Sequence, residues 1–372
     1  MVGSISSTDV FVIGGGPAGL AAGIAARQKG LQAIVADGAA PPIEKPCGEG
    51  MMPETLAALR DLGVEIPPGQ GQKFRGICFA QQGARVAADF PHGPGIGLRR
   101  PQLHERLIAR AEECGVQMLW NTTVSGMDAQ GVQLAHGKIH ARWIVGADGQ
   151  GSRVRRWSGL EATSSNRERY TRRRHYRVKA WSNYVEIYWG NRAQAYVTPI
   201  GSEEVCIVMM AERVEHACFD RALQELPELS EKLGDAELSG RERGAVTAMR
   251  SLRNVQHGNV ALVGDASGGA DAITGEGLRL SFRQAILLAD AMAANDLRPY
   301  QRAHRQLERR PMRMGGMMLW LGRNPRIRGR VIRALQSKPD LFARLLAAHG
   351  GQGSSADLLS TGALLGWQLL AI

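Results

Sequence analysis

Long apolar runs and paired cysteines are both missing from this chain of 372 residues. No stretch reaches about 18 uninterrupted apolar residues, so we expect no transmembrane helix. The sequence does not open with a basic region followed by a long apolar segment, so we expect no secretion signal. The five cysteines include no Cys-x-x-Cys pair, and their odd number fits a reducing compartment better than a disulfide framework. We therefore expect a cytoplasmic protein, and no pattern predicts a metal site.

Acidic residues are scarce in the C-terminal part of the chain, whose formal net charge is +11. Between Arg298 and Arg333, eleven arginines occur with a single acid, Glu308. A second basic cluster lies mid-chain and consists of Arg167, Arg169, Arg172, Arg173, Arg174, Arg177 and Lys179. Basic surfaces attract nucleic acid, anionic lipid or anionic substrates, but no helix-turn-helix, zinc-finger or RNA-binding signature accompanies these clusters. We therefore expect no nucleic-acid partner.

Large apolar residues are interleaved with the C-terminal arginines, and residues 358–372 are mostly apolar. The interleaved residues are Met312, Met314, Met317, Met318, Leu319, Trp320 and Leu321. Two interpretations stay open. The arginines form a solvated face and the terminal helix packs on the body, or this region makes a peripheral contact with a membrane surface.

A glycine-rich turn near the N-terminus is the most informative motif. An apolar run, Asp9 to Ile13, leads into the turn Gly14 to Gly19 and then into a helix start. Such glycines allow a tight turn and close approach of a pyrophosphate, whose charge lies at the positive end of the helix. Asp37 ends the next apolar run, where a ribose-binding acid is expected. The order of these features predicts a dinucleotide-binding βαβ unit.

Two later segments resemble the remaining fingerprints of one flavoenzyme family. Asp148 and Gly149 follow the apolar run 143–147, and Asp265 follows the run 260–264. Together with the glycine turn, they resemble the three fingerprints of FAD-dependent enzymes related to para-hydroxybenzoate hydroxylase. The resemblance implies that FAD is the cofactor and that Asp265 binds its ribityl or ribose groups.

Three further segments resemble the geranylgeranyl reductase branch of that superfamily. Lys45 to Gly50 and Ile273 to Leu278 are similar to its Cys-Gly and Thr-Gly-Glu-Gly segments, and Leu98 to Leu107 resembles the arginine-led helix that touches FAD. The resemblance implies a cofactor site made of Gly14, Gly16, Pro17, Ala18, Gly19, Asp37, Lys45, Cys47, Gly48, Arg100, Val124, Asp148, Gly149, Asp265, Gly275, Glu276, Gly277 and Leu278.

The expected fold is α/β, with a Rossmann-like FAD-binding domain interleaved with a β-sheet substrate domain and followed by a helical C-terminal region. We assign residues 1–72, 98–165 and 252–297 to the FAD-binding domain and residues 73–97 and 166–251 to the substrate domain. Residues 298–372 form the helical region. Alternating patterns predict a hairpin over 73–90 and a meander of three strands over 184–211 in the substrate sheet. Residues 220–233 are predicted to form one helix.

Three kinds of function compete on this fold. One is hydroxylation or oxidation of an aromatic or polyketide-type substrate by a monooxygenase that uses O₂, and another is reduction of isoprenoid double bonds. The third is a flavoprotein sensor or assembly factor without catalysis. Halogenases of the superfamily carry a Gly-Trp-x-Trp-x-Ile-Pro motif that this sequence does not have. No second glycine fingerprint occurs, so NADH or NADPH is expected to bind only transiently.

The substrate is expected to be a hydrophobic small molecule bound near Tyr188, Tyr196 and Pro199. Aligned on Pro199, the Tyr-x-Trp-x-Phe-Pro pattern of the reductase branch becomes Gln194, Tyr196 and Thr198, which favours the monooxygenase. Cys47 lies in the loop that the resemblance puts beside the flavin. It is either a catalytic or gating thiol or an ordinary buried cysteine.

Overall fold

The computed structural model describes residues 6–165 and 168–351, and beyond them Leu364. The expected apolar helix over 358–372 therefore lies outside the described residues, apart from that one position. The strands are β1 (Ser7–Ile13), β2 (Ala33–Ala36), β3 (Gly50–Met51), β4 (Gln72–Phe74), β5 (Gly76–Gln81), β6 (Ala84–Asp89), β7 (Gly95–Gly97), β8 (Gln117–Leu119), β9 (Gly126–Asp128), β10 (Gly131–Leu134), β11 (Gly137–Gly146), β12 (Ala162–Ser165), β13 (Arg169–Arg177), β14 (Tyr184–Trp189), β15 (Ala193–Gly201), β16 (Glu204–Ala211), β17 (Glu237–Leu238), β18 (Arg243–Thr247), β19 (Arg250–Leu252), β20 (Gln256–His257) and β21 (Val260–Leu262). The α-helices are α1 (Pro17–Gln28), α2 (Pro53–Asp61), α3 (Arg100–Glu113), α4 (Arg153–Trp157), α5 (Phe219–Gln224), α6 (Pro227–Leu233), α7 (Gly277–Ala293), α8 (Arg298–Arg323), α9 (Pro325–Ser337) and α10 (Pro339–His349).

Parallel strands form the centre of the first large sheet, in the order β21, β11, β1, β2 and β8. In the middle strand, Val10 pairs with Trp143 on one side and with Ala33 on the other. Helices α1 and α7 pack together against the core of this sheet, where Leu20 and Phe282 are fully buried. Because the strands run parallel, the glycine turn and the loops after β11 and β21 emerge at the same edge.

The second large sheet has the order β17, β13, β16, β15, β14, β5 and β6, and β18 also pairs with β13. It contains the predicted hairpin, formed by β5 and β6, and the predicted meander, formed by β14, β15 and β16. The α/β fold class is therefore confirmed. The exact division into domains stays a prediction, although strands of the two sheets alternate along the chain as it requires.

Strand β13 is the largest element that the sequence patterns do not predict. From the sequence, its basic residues are expected to form a charged surface. In the structure they alternate between a buried and a more accessible side of the strand. Arg169 pairs with the buried Asp271, and Arg173 pairs with the buried Glu49. On the other side, Arg172 contacts Glu242. Arg169, Arg172, Arg173 and Arg174 of this basic cluster are therefore paired with acids around the sheet, whereas Arg177 and Lys179 are exposed.

Proline positions explain how the helices are divided. The segment 220–233, expected to be one helix, is two, because Pro227 begins α6 after a break at Glu225 and Leu226. In the C-terminal region, α9 and α10 begin at Pro325 and Pro339. Apolar residues of α9 and α10 pack on β5 and β6 of the second sheet. No helix among the described residues is long and apolar enough to cross a membrane.

A buried polar cluster joins α7 and α8 behind the loop that follows β21. His304 Nε2 lies 2.9 Å from Ser267 Oγ, 3.1 Å from Gln284 Nε2 and 3.5 Å from Glu308 Oε1. Gln284 Oε1 accepts a hydrogen bond from the backbone N–H of Gly264. Burial lowers the pKa of His304 to about 4 and raises the pKa of Glu308 to about 8. Both side chains are therefore neutral at pH 7.

This cluster gives a pH-dependent prediction for folding. The pKa of Glu308 is raised from 4.5 in the unfolded chain to about 8, so its contribution to stability is complete below pH 4.5 and is lost as the pH rises to about 8. We expect Glu308→Gln to remove this loss, so that the variant gains stability relative to the natural protein between pH 5 and pH 8. Urea unfolding at several pH values measures the difference. Glu112→Gln, at an exposed position of α3, is the control; a difference that does not change with pH would contradict the prediction.

Candidate functional site

A cavity of about 660 Å³ lies between the edge of the first sheet and one face of the second. Its glycine-turn half is formed by the turn before α1 and the loops after β2, β11 and β21. The second sheet lines the cavity through β5, β13, β14, β15, β16 and β18, and Phe74 of β4 adjoins it; we call the part formed by β4, β5, β14, β15 and β16 the sheet half. The predicted site residues that line it are Gly14, Gly16, Pro17, Ala18, Asp37, Lys45, Cys47, Gly48, Arg100, Val124, Asp148, Gly149, Tyr196, Asp265, Gly275, Gly277 and Leu278. Residues up to 264 positions apart in the sequence are thus brought to one cavity.

The glycine turn is tightly packed, and at Gly14 and Gly19 the neighbouring backbone leaves no room for a side chain. Gly14 has a φ of +114°, and a Cβ there would lie 2.4 Å from the carbonyl oxygen of Ala147. A Cβ on Gly19 would lie 1.8 Å from the carbonyl oxygen of Gly14, so Gly19 lets α1 pack on the turn without itself lining the cavity. At Gly16, by contrast, no atom lies within 4 Å of a Cβ. The backbone at the start of α1 is therefore open to a ligand.

Two side chains fix this turn from outside it. The Asp37 carboxylate accepts hydrogen bonds from the backbone N–H groups of Gly15, at 2.7 Å, and Ala39, at 2.8 Å. His104 Nε2 lies 2.8 Å from the carbonyl oxygen of Gly15, while its Nδ1 accepts from the N–H of Ile43. Burial lowers the pKa of His104, so the neutral ring donates from Nε2. The sequence gives no signal for His104, because this contact depends on how α3 packs.

The two aspartates of the later fingerprints have different partners. Asp148 accepts from the hydroxyl of Ser152 at 2.5 Å and from the N–H of Arg153 at 2.6 Å, so its carboxylate caps α4. Asp265 forms an ion pair with Lys45 across the cavity wall. Two residues expected to contact the cofactor therefore contact each other. Both side chains remain partly accessible, with 37% of Asp265 and 44% of Lys45 exposed.

A buried carboxylate, Glu49, fixes the loop that carries Cys47. Glu49 accepts hydrogen bonds from Arg173 at 3.0 Å and from the backbone N–H of Arg100 at 3.0 Å, and lies 2.7 Å from His175 Nε2. Burial alone raises the pKa of Glu49, but these partners outweigh it and the pKa is lowered overall. Because Arg173 already binds this carboxylate, the nearby Cys206 thiol does not make the cluster a suitable metal site.

The sheet half of the cavity is mostly apolar. It is lined by Phe74, Ile77, Val185, Ile187, Tyr196, Thr198, Val208 and Met210. The Tyr196 hydroxyl donates to the carbonyl oxygen of Ile273 at 3.4 Å, and burial raises its pKa, so it stays protonated. No histidine, carboxylate or amine occurs among these eight residues. Sequence reasoning missed most of them, although the alternation of the predicted meander was the signal that could have found them.

Three other predicted site residues do not line the cavity. Tyr188 lies on the opposite face of the second sheet, because strand side chains alternate and it is Val185 and Ile187 that face the cavity. Its hydroxyl donates to Glu186 in a buried network. Pro199 is excluded by the same alternation, since Tyr196 and Thr198 face inwards. The side chain of Glu276 pairs with Arg279 and with His349 of α10 instead of lining the cavity.

Known proteins are similar to this chain in sequence or in fold. Residues 7–298 match the family model described as FAD binding domain. A menaquinone reductase of Mycobacterium tuberculosis is 28% identical over 319 residues, which cover 78% of this chain and 78% of that protein. A digeranylgeranylglycerophospholipid reductase of Methanosarcina mazei is 28% identical over 295 residues, 73% of this chain and 71% of that protein. A flavoprotein/dehydrogenase structure from Cytophaga hutchinsonii, 17% identical, has the same fold, with a TM-score of 0.79 and 92% of each chain covered.

The glycine-turn half has the chemistry that FAD requires. The open N-terminus of α1 suits a pyrophosphate, and Asp37 lies at the end of β2, where a ribose is bound in such folds. Arg100 also lines the cavity, and its buried Nε has no hydrogen-bond partner among the described residues. A bound dinucleotide would supply acceptors for these groups.

Replacement of Gly16 tests this assignment. We expect Gly16→Val to fold normally, because its Cβ meets no atom within 4 Å, but to keep FAD from approaching the start of α1. Loss of one hydrogen bond to a charged phosphate, about 1.5–3 kcal/mol, would weaken FAD binding by about tenfold or more. Titration of the FAD-free protein with FAD, followed by fluorescence quenching, measures the affinity. Gly126→Val is the matched control, since Gly126 also has open space but lies in β9 outside the cavity. Equal affinities for the two variants would contradict the prediction.

Proposed function

We propose that this chain, which belongs to the FAD-binding domain family, reduces carbon–carbon double bonds in an apolar, isoprenoid-type substrate. It is an FAD-dependent oxidoreductase with the fold of that family. The sequence patterns favour a monooxygenase and keep double-bond reduction as the alternative. The lining of the sheet half supports the alternative.

The observation that carries the proposal is the chemistry of this lining. A phenol or a polyketide is polar, and its oxidation is assisted by a side chain that accepts the phenol proton. The eight residues of the sheet half offer only the hydroxyls of Tyr196 and Thr198, and neither is a base near neutral pH. An apolar chain, in contrast, needs only shape and the exclusion of water.

The names of the two sequence relatives agree with a reductase. One is named for menaquinone and the other for a phospholipid with two geranylgeranyl chains. Both similarities extend over more than two thirds of this chain. They support a lipid-type substrate for this chain as well.

Reduction of a double bond requires a hydride and a proton. Reduced FAD supplies the hydride when it is bound, and NADH or NADPH, bound transiently, is the proposed source of its electrons. Cys47 lines the cavity and lies 3.9 Å, sulfur to nitrogen, from the Arg100 guanidinium. We assign to the Cys47 thiol the donation of the proton to the second carbon of the double bond. The sheet half holds the chain and keeps water away from it.

Anaerobic turnover distinguishes reduction from oxygenation. With NADPH or NADH and geranylgeraniol as the probe, we expect a mass gain of two hydrogens per double bond reduced, at the same rate with and without O₂. Mass spectrometry of the product and oxygen-electrode recordings measure the two quantities. A product that gains oxygen, or turnover that stops without O₂, would instead establish the monooxygenase.

The same assay tests Cys47. Loss of a general acid typically lowers turnover by about 10²–10⁴-fold, so Cys47→Ala is expected to reduce turnover while the rate of FAD reduction by the nicotinamide is unchanged. Cys114→Ala, in a cysteine outside the cavity, serves as the control. Normal turnover in the Cys47→Ala variant would show that the thiol is not the proton donor and only packs in the cavity wall.

A lipid-type substrate also gives a role to the exposed side of the C-terminal helices. We define the α8–α9 surface as Arg309, Arg313, Met317, Trp320, Arg326 and Ile327, all of them exposed. No acid occurs between Arg309 and Lys338, and Trp320 is 51% exposed. Cations around exposed apolar side chains complement an anionic lipid surface. We propose that the α8–α9 surface docks on anionic membranes.

Vesicle binding tests the docking surface. We expect the protein to sediment with phosphatidylglycerol-containing vesicles at low salt and to be released at high salt, since each basic residue contributes about 1 kcal/mol that salt screens. Trp320→Gln should weaken binding by about tenfold through loss of apolar burial. Leu238→Gln, at an equally exposed apolar residue of β17, should not. If the natural protein stays in solution with anionic vesicles at low salt, the surface is simply solvated.

A further inference from the structure

A second cavity, of about 290 Å³, lies where the end of α8 and the start of α9 meet the second sheet. It is rich in arginine and poor in acids. Its charged lining residues, besides His216, are Arg169, Arg192, Arg213, Arg323 and Arg328 and a single carboxylate, Glu212. Met210 lines both this cavity and the first one, so the two adjoin.

Arg328 is a buried cation in this cavity, and no carboxylate of the described residues forms an ion pair with it. Only 2% of the residue is exposed. Its guanidinium donates to the side-chain oxygen of Gln81 at 2.8 Å and to the carbonyl oxygens of Gly190 at 2.9 Å and Gly322 at 3.1 Å, all neutral acceptors. It also packs over the ring of Trp189. Burial lowers its pKa to about 10, which leaves it charged at neutral pH. A buried charge of this kind favours an anion beside it.

Each of the other four arginines has a carboxylate within 4 Å of its guanidinium, so Arg328 is the one lining arginine that has none among the described residues. Arg323 contacts Glu212 at 2.6 Å, which uses the one carboxylate of the lining. The guanidinium groups of Arg192 and Arg213 lie 3.9 Å from the carboxylates of Glu225 and Glu215, and the backbone N–H of Arg192 also donates to Glu225 at 3.0 Å. Arg169 pairs with Asp271, but its buried Nε has no hydrogen-bond partner within the described part of the chain.

The start of α9 also contributes to the positive electrostatic potential in this cavity. Pro325 lines the cavity and is the first residue of α9, a helix of 13 residues. Proline has no backbone N–H to donate, but the helix dipole makes this end of α9 positive. The arginine side chains and the start of α9 therefore converge on one small space.

We propose that this second cavity binds a phosphate group, as a diphosphate or a phosphate monoester. Arginine forks match phosphate oxygens in geometry, and the positive end of the α9 dipole adds to the attraction for an anion. Because Met210 is shared with the first cavity, a ligand held here by its phosphate could extend towards the sheet half. The phosphate could belong to a nicotinamide dinucleotide, to an amphiphilic isoprenoid diphosphate, or to a free anion. The site does not depend on the proposed reductase activity.

Calorimetry with inorganic pyrophosphate tests the site directly. The protein is first saturated with FAD, so that the glycine-turn half is filled and cannot take the probe. We expect one pyrophosphate per chain. The double variant Arg192→Gln/Arg213→Gln, at two largely exposed lining positions, should weaken binding by about tenfold, or about 1.4 kcal/mol.

The matched control is Arg309→Gln/Arg333→Gln, which removes the same charge from exposed positions of α8 and α9 outside the cavity. We expect this pair to change the affinity by less than about twofold, because distant exposed charges are screened. Absence of pyrophosphate binding to the FAD-loaded protein overturns the proposal. So does an equal loss of affinity in both double variants, which would mean that net charge alone attracts the anion.

Competition identifies the source of the phosphate. Displacement of pyrophosphate by NADPH supports the site as the dinucleotide's anchor, whereas displacement by farnesyl diphosphate but not by farnesol supports an amphiphilic substrate. If neither competes, pyrophosphate binding that is sensitive to Arg192 and Arg213 supports a site for a free anion. These binding experiments do not depend on turnover. The phosphate site and the reductase activity can therefore be disproved independently of each other.

Discussion

The buried Glu49 carboxylate connects the two sheets at the point where the two halves of the cavity meet. Arg173 and His175, both on β13, bind it from the second sheet, while the N–H of Arg100 binds it from the start of α3. Glu49 also has a φ of +59°, an uncommon conformation for a residue other than glycine. Removal of the Arg173 side chain would break a buried ion pair, a change that costs about 3–5 kcal/mol. The position of Cys47, two residues earlier, depends on this ion pair.

Arginine in this protein serves structure as much as surface charge. On β13, Arg169 and Arg173 point inwards to Asp271 and Glu49, and each joins the second sheet to a loop that lines or adjoins the first cavity. Arg328 joins α9 to β5 and β14 through neutral acceptors. A guanidinium suits these positions because it donates in several directions at once and remains charged when buried. The net charge of +11 is therefore not a measure of the charge available to partners.

The local patterns of the chain were sufficient for β1, β2, β11 and β21 of the first sheet and for much of the second, but they did not predict β8, β9, β10 or β20. Glycine turns, apolar runs and hairpin signals act over a few residues, so the βαβ unit and the meander could be predicted. Side-chain direction was harder to predict, because a shift of one residue along a strand reverses the face; this is why Tyr188 was assigned to the cavity and Ile187 was not. Strand β13 was missed because its arginines are paired with acids far away in the sequence.

Long-range contacts set the remaining features of the site. His175 is 126 positions from Glu49, and Lys45 is 220 positions from Asp265. No periodicity in the sequence encodes such pairs, since they exist only once the sheets are assembled. Short motifs similar to those of the flavoenzyme family predicted that Lys45, Cys47 and Asp265 lie near the cofactor. They did not predict that Lys45 and Asp265 form an ion pair with each other. For the same reason, Glu276 was recognised as part of a motif while its contact with His349 was not.

The C-terminal helices connect the cavity to the exposed basic surface. Gly315 of α8 lies against the loop that contains Asp271 and Thr274, since a Cβ there would be 3.5 Å from the Thr274 Cγ2 and 3.6 Å from the backbone nitrogen of Asp271, which is ordinary van der Waals contact. From α10, His349 contacts the carbonyl oxygen of Thr274. Neighbours of these two loop residues, Ala272 and Ile273, form part of the cavity wall. Because α8 also carries Trp320, docking of that helix on a membrane would act on the same rigid element that supports this wall. A lipid-type substrate leaving the bilayer there would therefore have only the thickness of the C-terminal helices between the membrane and the sheet half.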